Sequence, residues 1–200
     1  MRPPSDRVLR LSMAPLRVAA VILALVGAAL SLVSCGSARA DEDGTTRAAR
    51  EVDLALQERE LIERRGRFPA FTGYVVDAAR ILPAAEEDAL KRQLGLIQQR
   101  TAHQVAVVTV PSLNGIDVAT YTSHLANRWG VGRRGHDDGV VFLVAPSERR
   151  LRIAVGDGLR NVLTDEECEG IIRDVVLPYF RAGDLASGVT AGVNGIEGEL

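Results

Sequence analysis

Aspartates at the ends of several predicted elements are the residues of this sequence best suited to chemistry. Asp77 follows a short β-branched segment and Asp157 follows a predicted hairpin. Asp137 and Asp138 precede a long apolar segment, and Asp165 opens a helical stretch. Hard divalent cations are bound in proteins by several carboxylate and carbonyl oxygens. The sequence therefore predicts a cation site if the loops that carry these residues meet at one edge of a sheet.

The same aspartates have a second interpretation, as turn and helix-cap residues. Asp is favoured in turns because its side chain bonds the nearby backbone, and Asp138-Gly139 is a common turn pair. Asp165 gains from the positive end of the helix dipole. From spacing alone, both interpretations stay open.

Other chemical signals exclude several classes of function. The chain has no Walker-type loop, no H-E-x-x-H, no G-x-S-x-G and no C-x-x-C. The three histidines lack ligand spacing, and Arg133-Arg134 is either a phosphate contact or, more commonly, a solvated loop. With 24 basic and 26 acidic residues, the net charge of -2 argues against nucleic-acid binding, which needs a basic face.

The amino terminus has the layout of an export signal. Arginines within residues 1–17 precede a segment without charged residues, Val18 to Val33. Leu32-Val33-Ser34-Cys35 then resembles the lipobox of bacterial lipoprotein signals. We expect residues 1–34 to be a removed signal peptide and Cys35 to carry a lipid. The protein would then be anchored to a membrane surface outside the cytoplasm, in the periplasm or at the cell surface.

Two other fates of this segment remain open. Ala38-Arg39-Ala40 fits ordinary signal cleavage, which would give a soluble secreted protein. Residues 18–33 could also stay as an uncleaved anchor, although a membrane-spanning helix needs about 20 residues. All three fates place the rest of the chain outside the cytoplasm, since the arginines stay on the cytoplasmic side. Cys168 is interpreted as a buried thiol, not as a disulfide partner of Cys35.

Hydrophobic periodicity predicts a tether over residues 35–66, with a helix near 47–64, and an α/β domain over 67–200. Within the domain, the predicted strands are 74–76, 105–110, 140–144 and 151–155, the last two forming a hairpin. The predicted helices are 83–100, 117–129, one that starts at the Thr164/Glu167 capping box and is kinked or ended by Pro178, and a weaker one over 184–200 that is rich in glycine. Alternating helices and strands predict an α/β sandwich around a small mixed sheet.

Several segments occur in an order and spacing that suggest a known family. They are Val76-Asp77, Gln104 to Ser112, Trp129 to Val140, Val144-Ala145-Pro146, Arg152 to Leu159, Leu163-Thr164-Asp165 and Ile171 to Gly183. Together, from about Thr72 to Glu197, they resemble the TPM domain, a family of extracytoplasmic and thylakoid-lumen domains. The resemblance implies a three-layer α/β/α sandwich.

The resemblance also implies a loop-lined acidic site for a divalent cation, most often calcium. By that resemblance the acidic residues are Asp77, Asp137 and Asp165, and Asp138, where the family often has Asn, could add a ligand charge. Two departures stand out, because Asp157 replaces a frequent Tyr and Arg160 replaces a common Glu. If that Glu is an ion ligand, the site of this protein is altered.

Members of the family are linked to assembly or repair of membrane complexes, and some have been assigned acid phosphatase activity. With the predicted anchor, the resemblance favours a membrane-tethered interaction module that supports assembly or maintenance of membrane protein complexes. The alternative is a metal-dependent phosphomonoesterase, in which Asp137 or Asp138 positions an ion that activates water.

Overall fold

The computed structural model describes residues 42–200, with side chains from residue 47 onward. Cys35 and the predicted signal peptide lie outside the described residues. The first described element is helix α1, Glu42–Gly66, which is longer than the helix expected near 47–64. Residues 53–200 form one compact unit. Within residues 42–200, no helix has both the length and the hydropathy that crossing a membrane requires.

A four-stranded mixed sheet is the centre of the domain. Its strands, in spatial order, are β1 (Val75–Asp77), β2 (Gln104–Thr109), β3 (Gly139–Ala145) and β4 (Arg150–Val155). The first three run parallel, and β4 is antiparallel to β3. The predicted hairpin is therefore confirmed. Strand β3 is buried along its whole length, as expected for a strand covered on both faces.

Five further helical elements surround the sheet. They are α2 (Ala84–Thr101), α3 (Val118–Trp129), α4 (Asp165–Gly170), α5 (Leu177–Arg181) and α6 (Leu185–Glu199). Two of their starts follow local signals in the sequence. The side chain of Asp117 accepts hydrogen bonds from the amides of Ala119 and Thr120, and Thr164 and Glu167 form the predicted capping box.

The helices form layers on both faces of the sheet. On one face, Leu94 and Ile97 of α2 and Val193 of α6 pack in the same core as alternate residues of β2 and β3. On the other face, Tyr121 and Leu125 of α3 pack with the remaining strand residues. The structure confirms the predicted three-layer α/β/α sandwich.

A π-helical segment, Ile171–Val176, joins α4 to α5. Pro178 lies in the first turn of α5 and cannot donate a backbone hydrogen bond. In a regular α-helix its ring would also clash with the carbonyl four residues earlier. The wider π turn is one means by which a helix absorbs such a mismatch, so the chain continues as helix past the predicted kink.

The glycines of α6 have a packing role that the sequence did not predict. A Cβ at Gly188 would lie 2.4 Å from Cδ1 of Phe180, and one at Gly192 would lie 2.7 Å from Cε1 of Phe142. Helix α6 can therefore approach α5 and the sheet closely only because these side chains are missing. This close packing offsets part of the cost of glycine, which is about 1 kcal/mol per residue in a helix interior.

Candidate functional site

Asp77 lies at one end of the parallel strands, and Asp137 and Asp138 lie at the other end. Asp77 pairs with Thr109 at the carboxyl ends of β1 and β2. Asp137 and Asp138 precede Gly139, which pairs with Gln104 at the opposite ends of the strands. The five residue steps from 104 to 109 correspond to about 16 Å. The condition for a shared cation site, that the aspartate loops meet at one end of the strands, is therefore not met by Asp77 together with Asp137 and Asp138.

Asp77 holds the loop that leads into α2. Its Oδ1 accepts a hydrogen bond from the amide of Ile81 at 3.1 Å, and its Oδ2 accepts one from the amide of Leu82 at 2.9 Å. The hydroxyl of Thr109 also donates to Oδ1. Both carboxylate oxygens are therefore used in fixing the backbone of residues 78–82.

Asp138 is buried, with 3% of its surface exposed, and it closes the loop before β3. Its Oδ1 accepts from the amide of Arg133 at 2.7 Å, and its Oδ2 accepts from Nε of Arg133 at 2.6 Å. Nδ1 of His103 lies 3.4 Å from the same Oδ2. Burial alone would raise the pKa of Asp138, but the backbone and side-chain hydrogen bonds from Arg133 hold this pKa below its usual value. Asp138 is thus an ionised residue that fixes its loop.

Asp137, the preceding residue, is exposed and has a left-handed backbone conformation with φ of 48°. It lines a cavity of about 390 Å³ that opens between α3, the loop before β3 and the turn after β4. Asp157 and Arg160 line the same cavity, and Nε of Arg160 lies 2.7 Å from Oδ1 of Asp157. Asn127 and Ser123 add an amide and a hydroxyl from α3. We call this the polar cavity.

Two glycines lock the rim of the polar cavity, and sequence reasoning did not single them out. A Cβ at Gly156 would lie 2.0 Å from the carbonyl oxygen of Asp137, and one at Gly158 would lie 1.9 Å from that of His136. The amide of Gly158 donates to the carbonyl of Asp137 at 3.0 Å. The spacing Gly156-Asp157-Gly158 after a strand was the available signal, because glycine commonly marks close backbone approach.

Asp165 lies apart from the polar cavity. It is exposed in the first turn of α4 and lines another cavity, of about 360 Å³, with Arg152 and Cys168. Burial raises the pKa of the Cys168 thiol to about 11, with a further contribution from the charge of Asp165. The thiol is therefore protonated at neutral pH and is a poor nucleophile. Cys168 is buried, as the sequence predicted.

Glu148 is another residue whose role was missed. It follows β3, and its Oε1 accepts hydrogen bonds from the hydroxyl of Ser112 at 2.7 Å and from the amide of Leu113 at 2.8 Å. Burial opposes ionisation, but these hydrogen bonds lower the pKa of Glu148 below its usual value. It holds the loop after β2, and its position in a turn gave no indication of this long-range contact.

The four predicted ligands do not fit a single cation site. Across residues 47–200, no three His, Cys, Asp or Glu side chains are placed so that they could hold one metal ion. The polar cavity offers two carboxylates, Asp137 and Asp157, and Arg160 pairs with the second. A hard cation such as calcium takes six to eight oxygen ligands. Cation binding itself stays a prediction.

The fold and the site together define an α/β/α sandwich domain with a polar cavity at the amino-terminal edge of β3. The family model of the TPM domain matches residues 75–199, which is more than half of the chain. The chain belongs to the TPM domain family. This confirms the family resemblance of the sequence.

Solved structures with the same fold come from several bacteria. The N-terminal domain of a protein from P. gingivalis is 34% identical, with a TM-score of 0.61 over 64% of this chain and 82% of that one. The BA42 protein from Bizionia argentinensis is 20% identical, with a TM-score of 0.53 over 60% and 81% of the two chains. The N-terminal domain of the cg2496 protein from Corynebacterium glutamicum is 18% identical, with a TM-score of 0.51 over 66% and 83%. The last two support the fold alone. No curated protein sequence matches the chain significantly.

Proposed function

We propose that the protein is a membrane-tethered, extracytoplasmic interaction module that supports the assembly or maintenance of membrane protein complexes. The predicted lipid anchor at Cys35 and membership of the TPM domain family support this proposal. The observation that carries it is the polar cavity, in which Asp137, Asp157 and Arg160 present both signs of charge.

The polar cavity suits recognition because its groups are fixed before a partner arrives. Asp138 anchors the loop before β3, and the tight contacts of Gly156 and Gly158 join that loop to the turn after β4. Preorganised polar groups bind with a smaller loss of conformational entropy than mobile ones. Mixed charges, an amide and a hydroxyl match the polar groups of a partner's backbone and side chains.

Capture from the membrane tests this function. The full-length tagged protein is crosslinked in intact cells, and co-purified membrane proteins are quantified for the wild type and for D137N/R160Q. We expect a defined set of membrane proteins whose recovery falls about tenfold in the double variant, since two charge-assisted contacts are removed. The control D165N carries an exposed charge change outside the polar cavity and should retain capture. Equal recovery from wild type and D137N/R160Q would count against the polar cavity as the contact surface, and no capture at all would refute the module.

We also propose that the polar cavity binds the predicted divalent cation, most often calcium in the family, with fewer of the predicted ligands than the sequence suggested. Of the four predicted ligands, Asp137 lines the polar cavity, and Asp157 is the second acidic residue there that an ion could share. Calcium and manganese titrations, followed by calorimetry, would compare wild type, D137N and D165N. We expect D137N to lose binding and D165N to keep it. Binding that depends on Asp165 instead, or no binding in the wild type, would exclude a cation at this cavity.

The phosphomonoesterase alternative makes a different prediction with the same variants. Metal-dependent hydrolysis of a generic phosphate monoester by the wild type, lost in D137N and retained in D165N, would favour the enzyme over the interaction module. Undetectable turnover with several metals would remove the enzyme alternative.

A further inference from the structure

A second concave surface lies at the other end of the sheet, where β3 turns into β4. It has a volume of about 440 Å³. Its floor is apolar and its rim is basic: Leu151, Phe180 and Leu185 form the floor, and Arg149, Arg150 and Arg181 stand around it. We call it the basic groove. Because Ala145 pairs with Arg150 and Val140 pairs with Val155, the groove and the polar cavity are separated by five residue steps of β3, about 16 Å.

The three guanidinium groups of the groove have no partner of their own. Across residues 47–200, several arginines form no ion pair, but Arg149, Arg150 and Arg181 are three of them that line the same cavity. This cluster contrasts with the net charge of the chain, which is -2.

The carboxylates nearest in sequence to these arginines are engaged elsewhere. Glu148 binds Ser112 and Leu113, and Oδ1 of Asp184 accepts the amide of Ser187 at the start of α6. The guanidinium groups are therefore available to an outside carboxylate, which arginine binds through two parallel hydrogen bonds. The positive charge of the basic groove therefore favours an acidic partner.

The shape of the floor favours a peptide over a lipid surface. Leu151, Phe180 and Leu185 are only partly exposed, so they form a recess instead of projecting from the surface. A protein that lies on a membrane inserts projecting apolar side chains into the headgroup region. A recess ringed by charge instead receives an apolar side chain from a partner, with polar contacts at its rim.

We propose that the basic groove binds an acidic segment of a partner protein. An apolar side chain of that segment enters the recess, and flanking carboxylates pair with Arg150 and Arg181. This inference rests on the proposed function, because it names the class of segment that such an interaction module would hold.

A labelled peptide tests the proposal on the full-length protein. The probe is a short peptide in which glutamates flank alternating leucine and phenylalanine, and the control peptide has glutamine at every glutamate position. Fluorescence anisotropy should show at least tenfold tighter binding of the acidic peptide. Its affinity should fall between about 0.1 M and about 1 M salt, as the Debye length shortens from ~10 Å to ~3 Å.

Matched variants locate the binding surface. R150Q/R181Q should weaken the acidic peptide at least tenfold, since each charge-assisted hydrogen bond is roughly twice as strong as a neutral one. R59Q/R92Q removes two exposed arginines outside the groove and should leave affinity unchanged. Leu185→Gln should weaken the acidic peptide through the floor of the recess, and thermal unfolding of each variant checks that the fold is intact.

Three outcomes would overturn the proposal: equal affinity for both peptides, no effect of R150Q/R181Q, or binding only to vesicles of phosphatidylglycerol and phosphatidylcholine. If the peptide fails while cellular capture still depends on Asp137 and Arg160, the groove assignment is wrong and the proposed function stands. If peptide binding succeeds while capture fails, the groove stands and the proposed role in membrane complexes does not.

Discussion

Asp137 and Asp138 are neighbours in the chain, yet their side chains have different surroundings. The backbone of Asp137 has a left-handed conformation, with φ of 48°. One carboxylate then faces the polar cavity, while the other is buried against Arg133 and His103. The hydrogen-bond donors around each carboxylate determine whether it stabilises its own loop or is available to bind a ligand.

The buried charge of Asp138 predicts a pH-dependent contribution to stability. Its pKa is lowered by folding, so its contribution is complete above the unfolded value of about 3.9 and is lost as pH falls through the folded pKa. Asp138→Asn should reduce the free energy of unfolding by about 2 kcal/mol at pH 7, because hydrogen bonds to a charged group are lost. The difference between variant and wild type should shrink below about pH 4.

Urea unfolding of both proteins at neutral and acidic pH measures this effect. The matched control is Asp88→Asn, since Asp88 is exposed and its nearest cation, Lys91, is 3.8 Å away. Exposed ion pairs of this kind contribute little. A constant difference between Asp138→Asn and wild type at all pH values would show that ionisation of Asp138 is not the cause.

The sequence predicts the acidic residues of the site but not their grouping. Asp77, Asp137 and Asp165 were each placed at the end of the correct element. Their separation follows from the parallel pairing of β1, β2 and β3, which joins segments far apart in the chain. Local patterns do not show whether two strands pair parallel or antiparallel, so they do not show which strand ends lie side by side. Local sequence patterns also did not predict that Asp137 is exposed while Asp138 is buried.

At the scale of elements, contact between backbones joins the loop before β3 to the turn after β4. Gly156 has φ of -67°, a value that any residue adopts, so space and not conformation requires glycine there. A methyl group would meet the carbonyl oxygen of Asp137 at 2.0 Å. The two loops can form one rim only while this position lacks a side chain.

Substituting this glycine should therefore be costly. Gly156→Ala is expected to lower the free energy of unfolding by up to about 3 kcal/mol, as overpacking does, and to displace Asp137. Gly170→Ala is the control, because a Cβ there meets nothing within 4 Å and the residue is helical. It should be neutral or stabilising by up to ~1 kcal/mol. Denaturant unfolding measures both, and equal effects would contradict the packing argument.

Elements with strong local signals agree with their predictions. Helix α3 begins at the cap Asp117 and ends at Gly130, whose φ of 63° is left-handed. The π-helical segment and the close packing of α6 were not predicted. The π-helical segment depends on Pro178, and the packing of α6 depends on contacts of Phe142 and Phe180 with its glycines. Periodicity along one helix does not reveal contacts between elements.

At the scale of the molecule, helix α1 differs from the packed domain that follows it. Residues 47–61 are exposed throughout, whereas Ile62 is buried and Arg128 donates to Glu63 at 2.7 Å. The last turn of α1 is thus attached to the domain, and the preceding turns have little tertiary support. In proteins most of the stability of a helix comes from tertiary packing, so these turns should be the less stable part of α1.

Limited trypsin digestion should reflect this difference. The first cuts are expected at Arg47, Arg50 and Arg59, leaving a resistant fragment that contains the complete sheet. Arg92 and Arg160 are also exposed but lie within the packed domain, so they should resist longer. Mass spectrometry of timed samples identifies the cuts. Cleavage after Arg92 at the same rate as after Arg50 would contradict the assignment of α1 as the least stable part.

The order of the strands also affects the tendency of the protein to aggregate at high concentration. Both outer strands of the sheet have unpaired backbone groups, which can template pairing with another molecule. Strand β1 has only three residues, and β4 carries Arg150 and Arg152. The short length of β1 and the positive charges on β4 both disfavour pairing of these strands with the sheet of another molecule. At high protein concentration, copies of the domain would therefore resist assembling into fibrils through their outer strands.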